Sequence, residues 1–261
     1  MSFEIELKAH VSDPEAVKKR LSALGIYDRA YEKDDVYWIP PSGNSGLPPS
    51  GLRVRRETGT NKTGRASETC LVTYKIRKNQ GEIEVNDERE FTVSDGELFE
   101  DLLERLGLRR KIGKNKRGWA WIYRPPEGHT HQGREPADKG SPIRMELSEV
   151  RELGVCRTSR VKPQKIAGQA IFYPSNPEGS PDNRDLCAAG SAKIHKYKRP
   201  LGWFLELEIL APDDGKAVVA RRRGELLSLL EKLGVPPGKI EKRPYTEMLA
   251  GAENSGKNEG P

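Results

Sequence analysis

The chain has 261 residues, of which 32% are charged and 34% are apolar, and its mean hydropathy is −0.75. Lysine and arginine total 45 against 39 acidic residues, so the net charge is +6, which allows anionic ligands but is too small to indicate nucleic-acid binding by itself. No apolar run reaches the roughly 18 residues that a membrane helix needs, so we expect no membrane partner.

The first segment combines a strand with a helix. Residues 3–8 alternate apolar and charged side chains, which is the period of a half-buried strand. Residues 12–15 (Ser-Asp-Pro-Glu) form a capping box with proline near the first helical position. Apolar residues then recur at helical spacing, and a glycine cap follows: Val17, Leu21, Leu24 and Gly25.

The same strand–helix order returns twice. Residues 88–93 predict a strand, residues 94–97 a second capping box, and Gly107 a helix end. We expect the apolar face of that helix to be buried; it consists of Leu98, Phe99, Leu102, Leu103 and Leu106. Residues 204–209 predict the last such strand, with a cap at Asp213 or Asp214 and a helix that ends at Gly234. The core face of this helix comprises Leu226, Leu229, Leu230 and Leu233.

Further strands are expected between these units, and many strands with turn-rich links favour an α+β fold. They cover residues 35–38, 52–56, 70–77, 119–123 and 143–150. Loops are predicted at residues 40–51, 58–69, 124–142 and 155–200. We therefore expect one domain over residues 1–250 and a polar tail over 251–261. The insertion at about 155–200 carries nine basic and three acidic residues, and it could attract an anionic substrate.

Strand alternation places like charges on shared faces. The acidic pairs are Glu4 and Glu6, Glu88 and Glu90, and Glu206 and Glu208; the basic pairs are Arg53 and Arg55, Lys75 and Arg77, and Lys114 and Lys116. If the sheet closes, these faces line one wet lumen. Crowded carboxylates need counter-charge, which Mg²⁺ or Mn²⁺ supplies, while basic side chains hold phosphate oxygens. The pattern therefore suits a polyphosphate substrate, although any one such pair is more often a solvated strand face, and the pattern alone leaves both interpretations open.

The motif Glu4-x-Glu6-x-Lys8 resembles the E-x-E-x-K signature of the CYTH family, the triphosphate tunnel metalloenzymes. An ordered series follows it: Asp35-x-Tyr37, Arg53-x-Arg55, Thr73-Tyr74-Lys75, Glu88-x-Glu90, Lys114-x-Lys116, Glu206-x-Glu208 and Tyr245. Apart from the insertion, the resemblance spans roughly residues 1–250. It implies an eight-stranded antiparallel closed β-barrel, a tunnel with charged residues inside and helices packed outside.

The resemblance also implies roles for individual residues. The metal ligands for Mg²⁺ or Mn²⁺ would be Glu4, Glu6, Glu206 and Glu208, supported by Glu88 and Glu90. The triphosphate would be bound by Arg53, Arg55, Lys75, Arg77, Lys114 and Lys116. Lys8, with Tyr37 as partner, would position or polarise the nucleophile, although Tyr37 is equally well explained as a structural aromatic residue.

One segment resembles the class IV adenylate cyclases within this family. It reads Leu-Ser-Glu-Val-Arg-Glu-Leu-Gly over residues 147–154 and resumes with Leu-Gly-Trp-Phe at 201–204, after the insertion. Ser148 stands where the family has aspartate, and Glu146, on the same strand face, could replace it as a metal ligand.

The resemblance thus implies a metal-dependent enzyme that converts ATP to cyclic AMP and pyrophosphate. An inorganic or thiamine triphosphatase is the first alternative, and a non-catalytic binder of polyphosphate or nucleic acid is the second, disfavoured because lumen carboxylates repel phosphate. The expected partner is a small triphosphate (ATP, tripolyphosphate or thiamine triphosphate), and a homodimer is open. Three cysteines without a C-x-x-C spacing and an acidic, alternating N-terminus predict a cytoplasmic protein.

Overall fold

The computed structural model describes residues 3–40, 52–80, 83–125, 141–154, 163–166, 169–172 and 196–255. The main strands are β1 (Phe3–Val11), β2 (Ile26–Ile39), β3 (Leu52–Asn61), β4 (Ala66–Gln80), β5 (Ile83–Val93), β6 (Arg109–Tyr123), β7 (Ile143–Gly154) and β10 (Lys196–Ala211). A separate two-stranded sheet pairs β8 (Pro163–Ile166) with β9 (Gln169–Phe172). The helices are α1 (Pro14–Leu24), α2 (Gly96–Arg105), α3 (Lys216–Lys232) and α4 (Tyr245–Ser255).

The eight main strands form one strongly curled antiparallel sheet, in the order β1-β10-β7-β6-β2-β3-β4-β5. The longest ladder joins β2 to β6, with thirteen register pairs. At the ends of this order, β5 also pairs with β1 over four positions, from Phe3↔Asp87 to Glu6↔Glu84. The predicted α+β class with eight antiparallel strands and surrounding helices is therefore confirmed.

The main apolar core lies between the outer face of this sheet and two helices. Ile5, Leu7 and Ala9 of β1 are fully buried there, because alternate residues of a strand share one face. Leu21 of α1 and Leu226 of α3 pack against the same layer. The charged residues of β1 consequently point to the inner face of the curl.

Both predicted capping boxes are displaced by one residue. Asp13 caps α1, its carboxylate accepting from the Ala16 N–H at 3.0 Å, and Asp95 caps α2 by accepting from the Leu98 N–H at 2.9 Å. Aspartate caps these helices in place of the preceding serine because its short side chain carries a negative charge, which the positive end of the helix dipole stabilises. Helix α3 has Gly215 at its N-cap, while Asp213 instead accepts from the Gly215 N–H.

Three predicted boundaries were wrong. The loop expected at residues 58–69 is mostly strand, because β3 and β4 continue into a hairpin whose tip holds Gly64 at φ 77°. Strand β2 begins at Ile26 rather than at residue 35. The loop expected at residues 155–200 contains β8, β9 and the first five residues of β10.

The apolar face of α2 was only partly predicted correctly. Leu103 is 5% exposed and packs in a small core with Val36, Trp38 and Val54. The other leucines of that face are exposed: Leu98 (65%), Leu102 (46%) and Leu106 (64%). The sheet beneath α2 thus covers only part of the apolar arc.

Within the described ranges, no helix combines the length and apolar composition that crossing a membrane requires.

Candidate functional site: a charged inner face of the curled sheet

The inner face of the sheet carries a network of buried ions. Lys116 of β6 is 3% exposed, and its ammonium donates to Glu146 at 3.1 Å and also to Glu206. Glu146 and Glu206 are register partners on β7 and β10, so one cation joins two adjacent carboxylates. Burial lowers the pKa of Lys116, but the charge of Glu206 and of its other anionic neighbours raises that pKa by more. The net shift in the pKa of Lys116 is therefore upward.

The carboxylate of Glu146 accepts hydrogen bonds from four side chains. One oxygen accepts from Lys33 at 2.8 Å and Arg144 at 2.9 Å, and the other from Tyr31 at 2.9 Å, Lys33 at 3.0 Å and Lys116. Burial would raise the pKa of this carboxyl, but these cations hold it well below its usual range. Its lone pairs are thus occupied by protein donors.

Glu206 has a similar but smaller set of partners. The Tyr245 hydroxyl donates to it at 2.5 Å, and Lys116 binds the other oxygen. Burial opposes its ionisation, yet Lys116 lowers the pKa of Glu206 to about 2. For the same reason of burial, and because Glu206 is charged, the pKa of Tyr245 is raised well above 10. Both groups keep their ordinary charges at neutral pH.

A second ion cluster is centred on Asp35, which is fully buried. Arg55 makes a bidentate pair with it at 2.6 and 3.0 Å, and Lys114 bonds it at 3.0 Å. Burial alone would raise the pKa of Asp35, but these two cations lower it by more. The pKa of Asp35 therefore lies well below its usual value. Two of the predicted phosphate-binding residues, Arg55 and Lys114, therefore share one buried counter-ion.

A third cluster lies on β3, β4 and β5. Arg53 donates to Thr73 at 2.8 Å and to Glu88 at 3.0 Å, and Glu90 is 3.6 Å away. Thr73 in turn donates to Glu90 at 3.0 Å. The predicted acidic pair of β5 thus surrounds a predicted phosphate-binding arginine.

The segment before α4 closes against the inner face. Lys8 donates to the Arg243 carbonyl at 2.6 Å, and its ammonium lies 4.4 Å from the centre of the Tyr245 ring. Tyr245 and Met248 form a small apolar cluster with Val150 and Phe204. Tyr37, the predicted partner of Lys8, instead has Lys114 as its neighbour, 5.9 Å from its ring centre.

The predicted metal ligands of β1 and β10 occupy neighbouring positions. Glu6 is the register partner of Glu208, and Glu4 lies two residues along the same strand face. The charge of Glu6 acts on the pKa of Tyr245, and that of Glu208 on the pKa of Arg144. In the described part of the chain, no three acidic, histidine or cysteine side chains are gathered as a ready metal site. The donor type fits a hard divalent cation, but the set is dispersed.

The side chains of two predicted site residues lie outside the described residues, and three residues of the ion network were not predicted from the sequence. Lys75 and Arg77 occupy register positions opposite Glu88 and Asn86, but their side chains are outside the described residues. Sequence reasoning missed Tyr31, Lys33 and Arg144. The alternation Tyr31-x-Lys33-x-Asp35-x-Tyr37 could have revealed the first two, because it continues the inner face of β2.

Ser148, at the family's aspartate position, is fully buried on the inner face of β7. Its hydroxyl oxygen has no hydrogen-bond partner among the residues that the structure describes. It faces Gly118 on β6, where an added Cβ would lie 2.7 Å from the Ser148 Cα. The glycine thus permits the close approach of the two strands at this point.

A cavity of about 750 Å³ is lined by residues of β2, β3, β4, β6, β7 and β10. Its walls include Trp119 and Trp203, whose rings stack with centres 6.0 Å apart, and the side chains of Glu32 and Arg117. Tyr31, which donates to Glu146 in the ion network, also lines this cavity.

The chain shares its fold with several solved structures. Against the PH1819 protein of Pyrococcus horikoshii the TM-score is 0.57 at 19% identity, over 95% of this chain and 99% of that one. For the PH1012 protein of the same organism the TM-score is 0.53 and the sequence identity 18%, with 94% of this chain and 98% of that chain covered. For a candidate adenylate cyclase of Vibrio parahaemolyticus the TM-score is 0.53 and the sequence identity 14%, with 95% of this chain and 98% of that chain covered. At these identities the likeness shows a shared fold and nothing further. No family model matches the sequence, and no curated protein matches it.

Proposed function

We propose that this chain, which has the fold of the CYTH-like structures, is a metal-dependent enzyme that acts on a triphosphate inside a closed tunnel. The four-position ladder between β1 and β5 supports the closure. The observation that carries the proposal is the set of buried cations on the inner face, which includes Lys33, Lys114 and Lys116. Buried cations are costly without anions, and a triphosphate supplies anionic oxygens along an extended chain.

In this proposal the phosphate oxygens bind the same basic side chains, beside the carboxylates that hold them now. Arg53 and Arg55 supply forked guanidinium donors that match phosphate geometry, and Lys114 and Lys116 supply point charges. Lys75 and Arg77, at alternate positions of β4, are proposed as further members of this set. Asp35 and Glu146 remain as counter-ions that keep the basic side chains charged and oriented. Glu146 is therefore proposed as a positioning residue, because four donors already occupy its carboxylate.

The residues that would hold Mg²⁺ or Mn²⁺ are Glu4, Glu6, Glu206 and Glu208, with support from Glu88 and Glu90. Because the described acids form no ready cluster, the triphosphate itself would complete the ligand set, as is common for Mg²⁺. When bound, such a cation neutralises charge that develops on the transferred phosphoryl group. Lys8 would position the attacking hydroxyl or water, and Tyr37, which neighbours Lys114 on the same inner face, would assist it.

Two reactions fit this set of side chains. In the cyclase version, which the interrupted segment around Ser148 supports, the ribose 3′-hydroxyl attacks the α-phosphorus of ATP, and pyrophosphate leaves. In the hydrolase version, water attacks the terminal phosphorus, and phosphate leaves. The second is favoured by the apolar cluster of Val150, Phe204, Tyr245 and Met248, since these side chains are buried against one another and leave no open apolar surface there for a base.

A product assay tests the proposal. The purified protein is incubated with ATP, thiamine triphosphate or tripolyphosphate, with Mg²⁺, with Mn²⁺, or with EDTA. We expect metal-dependent turnover of at least one substrate. Cyclic AMP with pyrophosphate would identify a cyclase, and phosphate alone a triphosphatase. Binding without turnover, equal with and without metal, would identify the non-catalytic binder instead.

A further inference from the structure

Tyr245, the first residue of α4, lies among the ammonium groups of three lysines on the inner face. The Nζ atom of Lys8 is 4.4 Å from the centre of its ring. Those of Lys114 and Lys116 are 4.7 and 6.0 Å from the same centre. All four side chains are buried, and at these distances an aromatic face attracts a cation, more strongly where water is excluded. One ring thus attracts cations from two strands, β1 and β6.

Two contacts fix this ring in place. The Tyr245 hydroxyl donates to Glu206 at 2.5 Å. The ring packs against Phe204, with ring centres 5.0 Å apart and planes at 89°, an edge-to-face arrangement that aromatic pairs favour. The hydroxyl and the ring therefore do different things, since the hydroxyl anchors the residue and the ring faces the lysines.

The chain before α4 is fixed to β1. The Glu241 N–H donates to the Lys8 carbonyl at 2.8 Å, and Ile240 forms a bridge with Ala9. The Lys8 ammonium donates in turn to the Arg243 carbonyl at 2.6 Å. These backbone contacts bring the start of α4 to the inner face, so a substitution at its first position tests the side chain rather than the path of the chain.

The three lysines need a neighbour that keeps them in place without opposing the substrate. Each ammonium group is a point charge on a flexible four-carbon stem, and like charges repel one another. A further carboxylate would hold the ammonium groups, but it would also repel a triphosphate. A neutral aromatic ring attracts them and carries no charge that repels phosphate.

Resting on the proposed function, we propose that Tyr245 is a positioning residue for the triphosphate and its nucleophile. Its ring keeps Lys114 and Lys116 in place for phosphate oxygens and Lys8 in place for the attacking hydroxyl or water. Tyr245 acts through these lysines and does not itself touch the substrate. Loss of the ring should therefore weaken triphosphate binding, whereas loss of the hydroxyl alone should have a small effect, because the packing on Phe204 remains.

Calorimetric titration of the full chain with inorganic tripolyphosphate in EDTA measures binding without turnover. We expect Tyr245→Leu to raise Kd at least about tenfold and Tyr245→Phe to stay within about threefold of the wild type. Met248→Ala is the matched control, because it removes a buried side chain from the same apolar cluster. It should leave Kd unchanged although urea unfolding shows a loss of stability. The KM of the active triphosphate, measured with Mn²⁺, should follow the same order.

The possible outcomes separate this inference from the proposed function. Equal Kd values for the wild type and Tyr245→Leu, or equal losses in Tyr245→Leu and Met248→Ala, would overturn the inference alone, because the wild type still binds. Equal losses in Tyr245→Phe and Tyr245→Leu would assign the effect to the hydroxyl and overturn the role of the ring. A wild type that neither binds tripolyphosphate nor turns over any of the three triphosphates would contradict the proposed function, and this inference with it.

Discussion

Glu146 and Glu206 stand directly opposite each other on β7 and β10, and the ammonium of Lys116 binds both. Two buried carboxylates at paired positions repel each other, so their ionised state depends on Lys116 between them and, for Glu146, also on Lys33 and Arg144. The side chains of the inner face are thus fixed by ion pairs between opposite charges. A bound triphosphate and its metal would rearrange these ion pairs.

Removing the shared cation should destabilise the fold. Lys116→Met leaves Glu146 and Glu206 buried with less compensation, and breaking a buried ion pair in this way costs about 3–5 kcal/mol. Urea unfolding measures the loss. Lys111→Met is the matched control on the same strand, because Lys111 is exposed, and it should change stability by less than about 0.5 kcal/mol. Equal stability of the two variants would contradict the importance of this bridge.

Stability should fall at acid pH partly through Glu206. Its pKa is about 2 in the folded chain against an ordinary 4.5, so between these values the unfolded chain binds more protons. The stabilisation is therefore present above pH 4.5 and is lost as the pH falls towards 2. Unfolding midpoints at pH 7, 4.5 and 3 should decline less steeply for Glu206→Gln than for the wild type. Parallel declines would show that Glu206 does not carry this linkage.

Two glycine substitutions should have opposite effects. Gly118→Ala places a methyl group against the Leu147 carbonyl and 2.7 Å from the Ser148 Cα, where the backbone of β7 cannot move aside, so we expect a loss of at least about 3 kcal/mol. Gly224→Ala lies inside α3 with no atom within 4 Å and should stabilise by about 0.5–1 kcal/mol. Thermal unfolding compares them; a tolerated Gly118→Ala would contradict the close strand approach.

Arg53 should contribute to substrate binding more than to folding. Arg53→Ala removes a guanidinium donor from the inner face, and we expect KM for the active triphosphate to rise at least about tenfold, equivalent to about 1.4 kcal/mol. Arg65→Ala, on the exposed hairpin tip, is the control and should leave KM unchanged. If KM is equal in both variants, Arg53 lies outside the substrate site.

The strands that the sequence predicted best are those with apolar residues on one face only. In β1, the buried Ile5 and Leu7 alternate with Glu4 and Glu6, so period and charge both identify the strand. The first half of β2 escaped prediction because its inner residues, such as Lys33, and its outer residues, such as Glu32, are both polar. No hydrophobic alternation marks such a strand.

The pairing of charges was beyond local sequence reasoning. Lys116 and Glu206 are 90 residues apart, and their contact follows from the order in which β6, β7 and β10 neighbour one another. Sequence alternation identifies which residues face inward, but strand order decides which cation meets which carboxylate. For the same reason, the saturation of Glu146 by four donors could not be predicted, and a ligand role for it was a reasonable hypothesis.

Inward-facing carboxylates of β1 and β10 are proposed to make triphosphate turnover depend on a divalent cation. The most direct measurement compares wild type, Glu6→Gln and Glu15→Gln for turnover at increasing Mn²⁺, with circular dichroism as the check on folding. We expect Glu6→Gln to fold but to lose turnover at least about a hundredfold, while Glu15→Gln, on the exposed start of α1, matches the wild type. Full activity in folded Glu6→Gln would contradict the claim.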